Sequence, residues 1–255
     1  MEEITNLIED LKAKNRHFVN LLYTSIIRHG FDNTGLTKSK IMFSNVLLHI
    51  QPVKIHKRSV KFKTTLGLGL ITTYMFFVLA VTGIILMFHY SPSAAIGPDG
   101  FPDAYSRMLN LRSNIFWGDF MRNMHRWAAH GMVAFVALHM LRVYLTGAHR
   151  GGREFNWVIG CILGLLTVFL SYTGYLLPWD QLAFWGVKVG TEIARLAPGG
   201  DIIRGILLGD TDVSGEALLR FYVLHVAVLP TIMGSLIAWH FWRIRKDGGL
   251  AKPAD

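Results

Sequence analysis

Four stretches of this chain contain no fully charged side chain: Thr64–Pro98, Trp127–Leu141, Trp157–Leu177 and Phe221–Trp242. A bilayer hydrocarbon core roughly 30 Å thick is crossed by about 20 mostly apolar helical residues. Within lipid, only a helix or a closed barrel satisfies its own backbone hydrogen bonds. The chain therefore reads as an all-α integral membrane bundle, with spans at about 65–90, 121–145, 157–177 and 218–242. Pro178 stops the third span by withholding a backbone donor. Composition agrees, since 51% of the 255 residues are hydrophobic. The single cysteine, Cys161, excludes an internal disulfide and any paired-cysteine metal motif.

The formal net charge is +9, and the basic residues gather beside the apolar runs. Lys54, His56, Lys57, Arg58, Lys61 and Lys63 precede the first, His149, Arg150 and Arg153 follow the second, and Arg243, Arg245 and Lys246 follow the fourth. Such placement suits membrane lipid and membrane orientation, and no nucleic-acid partner is expected. With four spans these basic segments share one side, the cytoplasmic or equivalent n side, and so do both termini. The loops 91–120 and 180–217 then face the opposite p side. Ahead of the spans, Ile4, Leu7, Ile8, Leu11, Phe18, Val19, Leu22 and Ile26 recur at helical spacing within residues 3–29. They predict an amphipathic N-terminal helix lying on the membrane or against protein. Residues 30–53 contain the turn formers Gly30, Asp32, Asn33 and Gly35 and read as a connector or a second surface helix. Three regions result: a surface segment (1–53), a transmembrane domain (54–247) and a tail (248–255).

The second and fourth spans each carry two histidines, His125 and His139 fourteen positions apart, His225 and His240 fifteen apart. Fourteen residues of helix rise about 21 Å and drift only about 40° in angle. Both imidazoles of a helix therefore leave nearly the same face at two depths. Both helices enter from the p side, so His125 shares a depth with His225, and His139 with His240. Two facing imidazoles at each depth suit the axial positions of a haem iron, and filling both favours electron transfer over substrate binding. A single membrane histidine is as readily a proton relay or a satisfied polar group, but two depth-matched pairs are harder to explain that way. The expectation is two haems b, held by His125/His225 on the p side and His139/His240 on the n side.

Neighbouring residues extend the pattern. Arg122 and Arg142 stand three positions from His125 and His139, and Arg220 lies near His225. They are candidates for pairing with haem propionates, unless they merely snorkel at helix ends. Gly69 and Gly83 are fourteen apart, as are Gly160 and Gly174. They would leave room for a macrocycle at the same two depths, or serve close helix packing. His130 points some 140–180° away from both ligand positions of its helix and is assigned to packing. His17, His29, His49, His56, His89 and His149 fall at interfaces or on surface segments and receive no ligand role.

These residues resemble a known family, the cytochrome b of quinol:cytochrome c (or plastocyanin) oxidoreductases, over residues 60–247. The resemblance rests on Arg122-x-x-His125-Arg126-Trp127, Leu138-His139-x-x-Arg142-Val143-Tyr144-Leu145-Thr146-Gly147, Thr173-Gly174-Tyr175-x-Leu177-Pro178-Trp179-Asp180-Gln181 and Arg220-Phe221-Tyr222-x-Leu224-His225. The fifteen-residue spacing, the Pro-Trp-Asp-Gln run and the end after the fourth span are similar to the short form, cytochrome b6. The resemblance implies oxidation of a quinol at the p face, one electron leaving through a Rieske iron–sulfur protein towards a c-type cytochrome. The other crosses the two haems to reduce a quinone at the n face. It implies quinol-site roles for Tyr175, Gly186 and Val189, and an n-side quinone role for Arg245. The family's Pro-Glu-Trp-Tyr element is absent, which implies a separate C-terminal cytochrome b chain resembling subunit IV, and no turnover by this chain alone. No cysteine stands at 64–67, where cytochrome b6 attaches an extra haem, so no covalent haem c is expected. A homodimeric complex in a bacterial inner membrane completes the expectation. Two alternatives use the same chain differently: a diheme anchor conducting electrons between quinone and a dehydrogenase or reductase, and a cofactor-free structural subunit.

Overall fold

The four apolar runs are helices in the computed structural model, which describes residues 9, 10, 12–16, 62–150 and 152–246. The chain divides into two units, Met1–Lys54 and Ile55–Asp255. In the first, residues 9, 10 and 12–16 are helical, and Lys14 pairs with Asp10 one turn back at 2.9 Å. The rest of the expected 3–29 helix, the 30–53 segment, the basic residues from Lys54 to Lys61 and the tail lie outside the described residues.

The second unit contains α1 (Leu68–Met87), α2 (Asp103–Ser113), α3 (Gly118–Leu145), α4 (Glu154–Leu176), α5 (Gln181–Arg195), α6 (Gly200–Leu208), α7 (Gly215–Val223) and α8 (Leu229–Lys246). No strand occurs among the described residues; Ile96 and Pro102 form an isolated antiparallel bridge. α1, α3, α4 and the continuous run Gly215–Ile244 are long and apolar enough to span a membrane. Leu70, Tyr74, Phe77, Val81 and Ile84 form one exposed stripe along α1, the pattern of a lipid-facing helix. Only Leu68 and Thr82 of α1 are buried.

α7 and α8 are joined by a π turn, Leu224–Val228, in which the Leu229 N–H bonds the Leu224 carbonyl five residues back. Pro230 follows at once; it has no N–H, and its ring would crowd the carbonyl four residues before it. A π turn holds one residue more than an α turn and occurs mostly as a single bulge inside a helix. Here it contains His225. The extra residue between His225 and His240 is taken up by this wider turn, and their fifteen positions become equivalent to the fourteen between His125 and His139.

α1 packs along α3, α8 along α4, and α3 against α4. α3, with His125 and His139, is not among the pairs closely packed against α8, with His240, or against the π turn that holds His225. The best-buried apolar cluster lies at one end of the bundle: Ala104, Leu176, Trp179, Val187, Leu208, Ala217, Leu218 and Phe221. Its contributors include α5 and α6, in a stretch whose mixed charges read as polar connection. Asp180 caps α5 by accepting the Ala183 N–H at 2.8 Å, and Trp179 makes the preceding corner at φ 54°. Ala183, Val187 and Thr191 recur every four residues and are buried. Arg204 of α6 donates to Glu192 of α5 at 2.9 Å.

Candidate functional site: two facing histidine pairs

α3 places His125 and His139 on one face, and the α7–α8 run places His225 and His240 opposite. The rings of His125 and His225 have centroids 6.3 Å apart and are inclined at 71°. His139 of α3 and His240 of α8 are neighbours at the other level. The four expected glycines each back onto one of these rings. A Cβ built at Gly83 would meet His125 Cε1 at 3.2 Å, and one at Gly69 would meet His139 Cε1 at 3.2 Å. On α4, a Cβ at Gly174 would lie 2.5 Å from His225 Cε1, and one at Gly160 would lie 3.6 Å from His240 Cε1. The fourteen-residue glycine spacing thus mirrors that of the histidines because each glycine clears an imidazole.

Two buried threonines complete the His125 level. Thr82 Oγ1 lies 2.9 Å from His125 Nδ1, and Thr173 Oγ1 lies 3.1 Å from His225 Nδ1. Each hydroxyl donates its hydrogen to its own helix, Thr82 to the Val78 carbonyl at 2.6 Å and Thr173 to the Phe169 carbonyl at 2.9 Å. The oxygen is then left as an acceptor, so Nδ1 of each imidazole is the donor. This sets both histidines in the tautomer whose Nε2 carries a free lone pair. Sequence reasoning missed these threonines. Their signal is that each directly precedes a ring-clearing glycine, in Thr82-Gly83 and Thr173-Gly174.

At the His139 level the residues preceding the glycines are Leu68 and Ile159. His240 lies there beside the backbone of the buried Asn156, whose side-chain Oδ1 has no hydrogen-bond partner among the described residues. No third His, Cys, Asp or Glu joins either pair among the described residues.

The expected cations are distributed unequally. Arg142 lies within electrostatic reach of His139. Arg122 sits among Arg112, Arg126, Asp119 and Asp180. Arg220 instead reaches across to α6, donating to the Ile206 carbonyl at 2.5 Å and packing on Gly209. Arg243, just outside the expected set, stacks over Phe155 at 5.6 Å.

Tyr175 and Val189 are exposed on α4 and α5. Gly186 lies against Leu176, and its carbonyl accepts the Tyr172 hydroxyl at 2.9 Å. Arg245 is in the last turn of α8, and its side chain lies outside the described set. Tyr90 ties the end of α1 to the end of α4 by donating to the Leu177 carbonyl at 2.7 Å, and stacks on Tyr222. Burial, with Tyr222 and Asp103 adding, pushes its phenol well above the ordinary value. His130 is exposed beside Trp127, and His149 stacks on Tyr144. His89 borders a pocket of about 380 Å³ between the ends of α1, α2 and the start of α3.

Residues 130–255 match the family described as cytochrome b(N-terminal)/b6/petB. The cytochrome b6 of Heliomicrobium gestii is 39% identical over 198 residues, covering 77% of this chain and 88% of that one. The cytochrome b6 of Prochlorococcus marinus is 39% identical over 182 residues, covering 71% and 80%. Among solved structures, a hyperthermophilic respiratory Complex III chain superposes with a TM-score of 0.65 at 26% identity. The match takes in 84% of this chain but only 54% of that one, so the present chain spans about half its length. Identity over most of the length of two cytochrome b6 proteins, together with the shared helical fold, establishes that this chain belongs to the cytochrome b family, in its N-terminal, b6-type form.

Proposed function

We propose that this chain is the diheme cytochrome b subunit of a quinol:cytochrome c oxidoreductase of the Rieske/cytochrome b type, with His125/His225 and His139/His240 as the axial ligands of two non-covalent haems b. The observation that carries the reading is the 6.3 Å separation of the His125 and His225 rings. Imidazoles bound at about 2.0 Å on either side of one iron place their ring centres roughly 6 Å apart. The donor set suits the group as well. Two imidazoles with no further protein ligand match an iron whose remaining bonds go to a macrocycle, and α3 and α8 are not packed together where that ring would lie.

When bound, each haem supplies one-electron transfer between ferric and ferrous iron. The chain's own residues do the rest. His125 with His225, and His139 with His240, would hold each iron through both imidazoles and so leave no site open to substrate. Gly69, Gly83, Gly160 and Gly174 clear the imidazoles, and Arg122 and Arg142 are assigned to the carboxylates at the rims. Arg220 would join them by leaving the Ile206 carbonyl. Tyr175, Gly186 and Val189 are assigned to the p-side quinol site, which the exposure of Tyr175 and Val189 supports. Arg245 is assigned to the n-side quinone site.

Electrons would pass from p-side quinol oxidation across the bundle to n-side quinone reduction. A Rieske iron–sulfur protein and a c-type cytochrome would take the other branch, in a homodimeric complex of a bacterial inner membrane. A separate C-terminal cytochrome b chain would complete it. The test is haem content of the purified complex by pyridine haemochrome, with acid–acetone extraction and a potentiometric titration. Two extractable b haems per chain, titrating as separate components, are expected. A single haem defeats the paired-ligand reading, and none defeats any haem role.

A further inference from the structure

We propose that Tyr172 is a positioning residue of the p-side quinol site: its phenol, seated between Gly186 and Gly190, fixes α5, and Val189 on it, against the turn of α4 that carries Tyr175. This role rests on the quinol-site reading above and supplies a cause for the placement that the reading needs.

Tyr172 and Leu176 stand one turn apart on α4, and Gly190 and Gly186 one turn apart on α5, and the two pairs meet in reverse order. A Cβ built at Gly190 would fall on the Tyr172 hydroxyl and stand 2.8 Å from its Cζ, while one at Gly186 would stand 2.9 Å from Leu176 Cδ2. Glycine inside a helix is less favourable than alanine, but such small pairs let two helices approach closely. Here each notch is filled by a side chain of α4. Leu176 fills its notch with apolar bulk alone. Tyr172 adds direction, because its hydroxyl donates to the Gly186 carbonyl at 2.9 Å. Its ring also meets Phe221 of α7 edge-on, with centroids 6.0 Å apart. One phenol therefore ties α4 to α5 while resting on the helix that leads to His225. Tyr175 lies three residues further along α4, and Val189 is next to Gly190. Both are exposed, so their spacing follows from how the two helices are joined beneath them. Groups that position a substrate lose much of their effect when displaced by about 1 Å.

The test uses the intact complex and three variants. Tyr172→Phe keeps the ring and loses the hydrogen bond, Gly190→Ala fills the notch, and Tyr172→Leu combined with Gly190→Ala moves bulk from one helix to the other. Reduction of cytochrome c by decylubiquinol or menadiol is read as KM and kcat separately, with haem content and potentiometric titration alongside. Tyr172→Phe is expected to raise KM about three- to tenfold, the loss of one hydrogen bond expressed as weaker binding, with kcat, both haems and their potentials unchanged. Gly190→Ala should raise KM further, and the double variant should return it to the Tyr172→Phe value. An unmoved KM in Tyr172→Phe overturns the proposal, whatever Gly190→Ala does. A joint fall in kcat and haem content at constant KM also overturns it, in favour of packing alone. Failure of the underlying reading shows separately, as a wild-type complex that holds both haems and oxidises neither quinol.

Discussion

The imidazole of His125 faces that of His225 from the opposite helix, ring centre to ring centre at 6.3 Å. The two residues are a hundred positions apart in the chain, and nothing local holds them together. Replacing either should therefore disable one level and spare the other. His125→Leu or His225→Leu is expected to lower haem content from two to one per chain, with the surviving component titrating as the His139/His240 haem. Loss of both haems would show that the levels assemble as one unit.

The glycines make a graded prediction. An added methyl at Gly174 would approach His225 Cε1 to 2.5 Å, whereas one at Gly160 would stand 3.6 Å from His240 Cε1. The first is overpacking, which costs typically about 1–3 kcal/mol; the second is ordinary contact. Gly174→Ala should shift the thermal midpoint of haem loss downward and disturb the EPR signal of the His225 site. Gly160→Ala should leave both near the wild-type values.

Asp180 holds the start of α5 at the buried end of the bundle. Its carboxylate accepts the Ala183 N–H at 2.8 Å, and removing such a cap costs about 1 kcal/mol. Asp180→Ala should loosen α5, visible as faster proteolysis between α4 and α6, and Asp180→Asn should recover most of the protection. With Val189 of α5 assigned to the quinol site, the alanine variant is also expected to raise the KM for quinol.

Tyr90 gives a pH dependence with a definite sign. Its phenol donates to the Leu177 carbonyl at 2.7 Å, and burial raises its folded value above the ordinary value of 10.0. A raised value means the contribution is complete below the unfolded value and is lost as pH climbs from about 10 towards the folded value. At neutral pH, Tyr90→Phe should cost about 1 kcal/mol, the net worth of one hydrogen bond. The difference from wild type, followed by thermal haem loss in detergent, should shrink as pH rises beyond 10.

Much of this architecture was readable in the residues, for reasons that can be stated. Charge-free runs report spans because lipid tolerates no alternative, and the four helices begin and end within a few residues of their expected places. Pro178 correctly marks the end of α4 at Leu176. The glycines were found by spacing alone, although their function is to clear the imidazoles. α5 and α6 were hidden because their acids and bases, Glu192 with Arg204 among them, sit on the outer faces of helices whose inner faces are apolar. Thr82 and Thr173 were hidden because a threonine in an apolar run is unremarkable until a ring nitrogen is brought beside it by a helix far off in sequence. Arg220 was legible as a cation, but its contact with the Ile206 carbonyl depends on how α6 folds back.

The π turn at Leu224–Val228 changes what is preserved when such a helix gains or loses a residue. The invariant is the vertical separation of two rings, while the number of amino acids between them is free to vary by one wherever a turn can widen. Removing Ala227 together with Pro230→Ala should convert the segment to plain α-helix with fourteen intervening steps and leave both haem sites intact. The same deletion in α3, which has no such turn, should rotate His139 by about 100° and destroy one. Fourteen and fifteen are then two spellings of one distance, and helices of unequal length can remain in step across the same membrane.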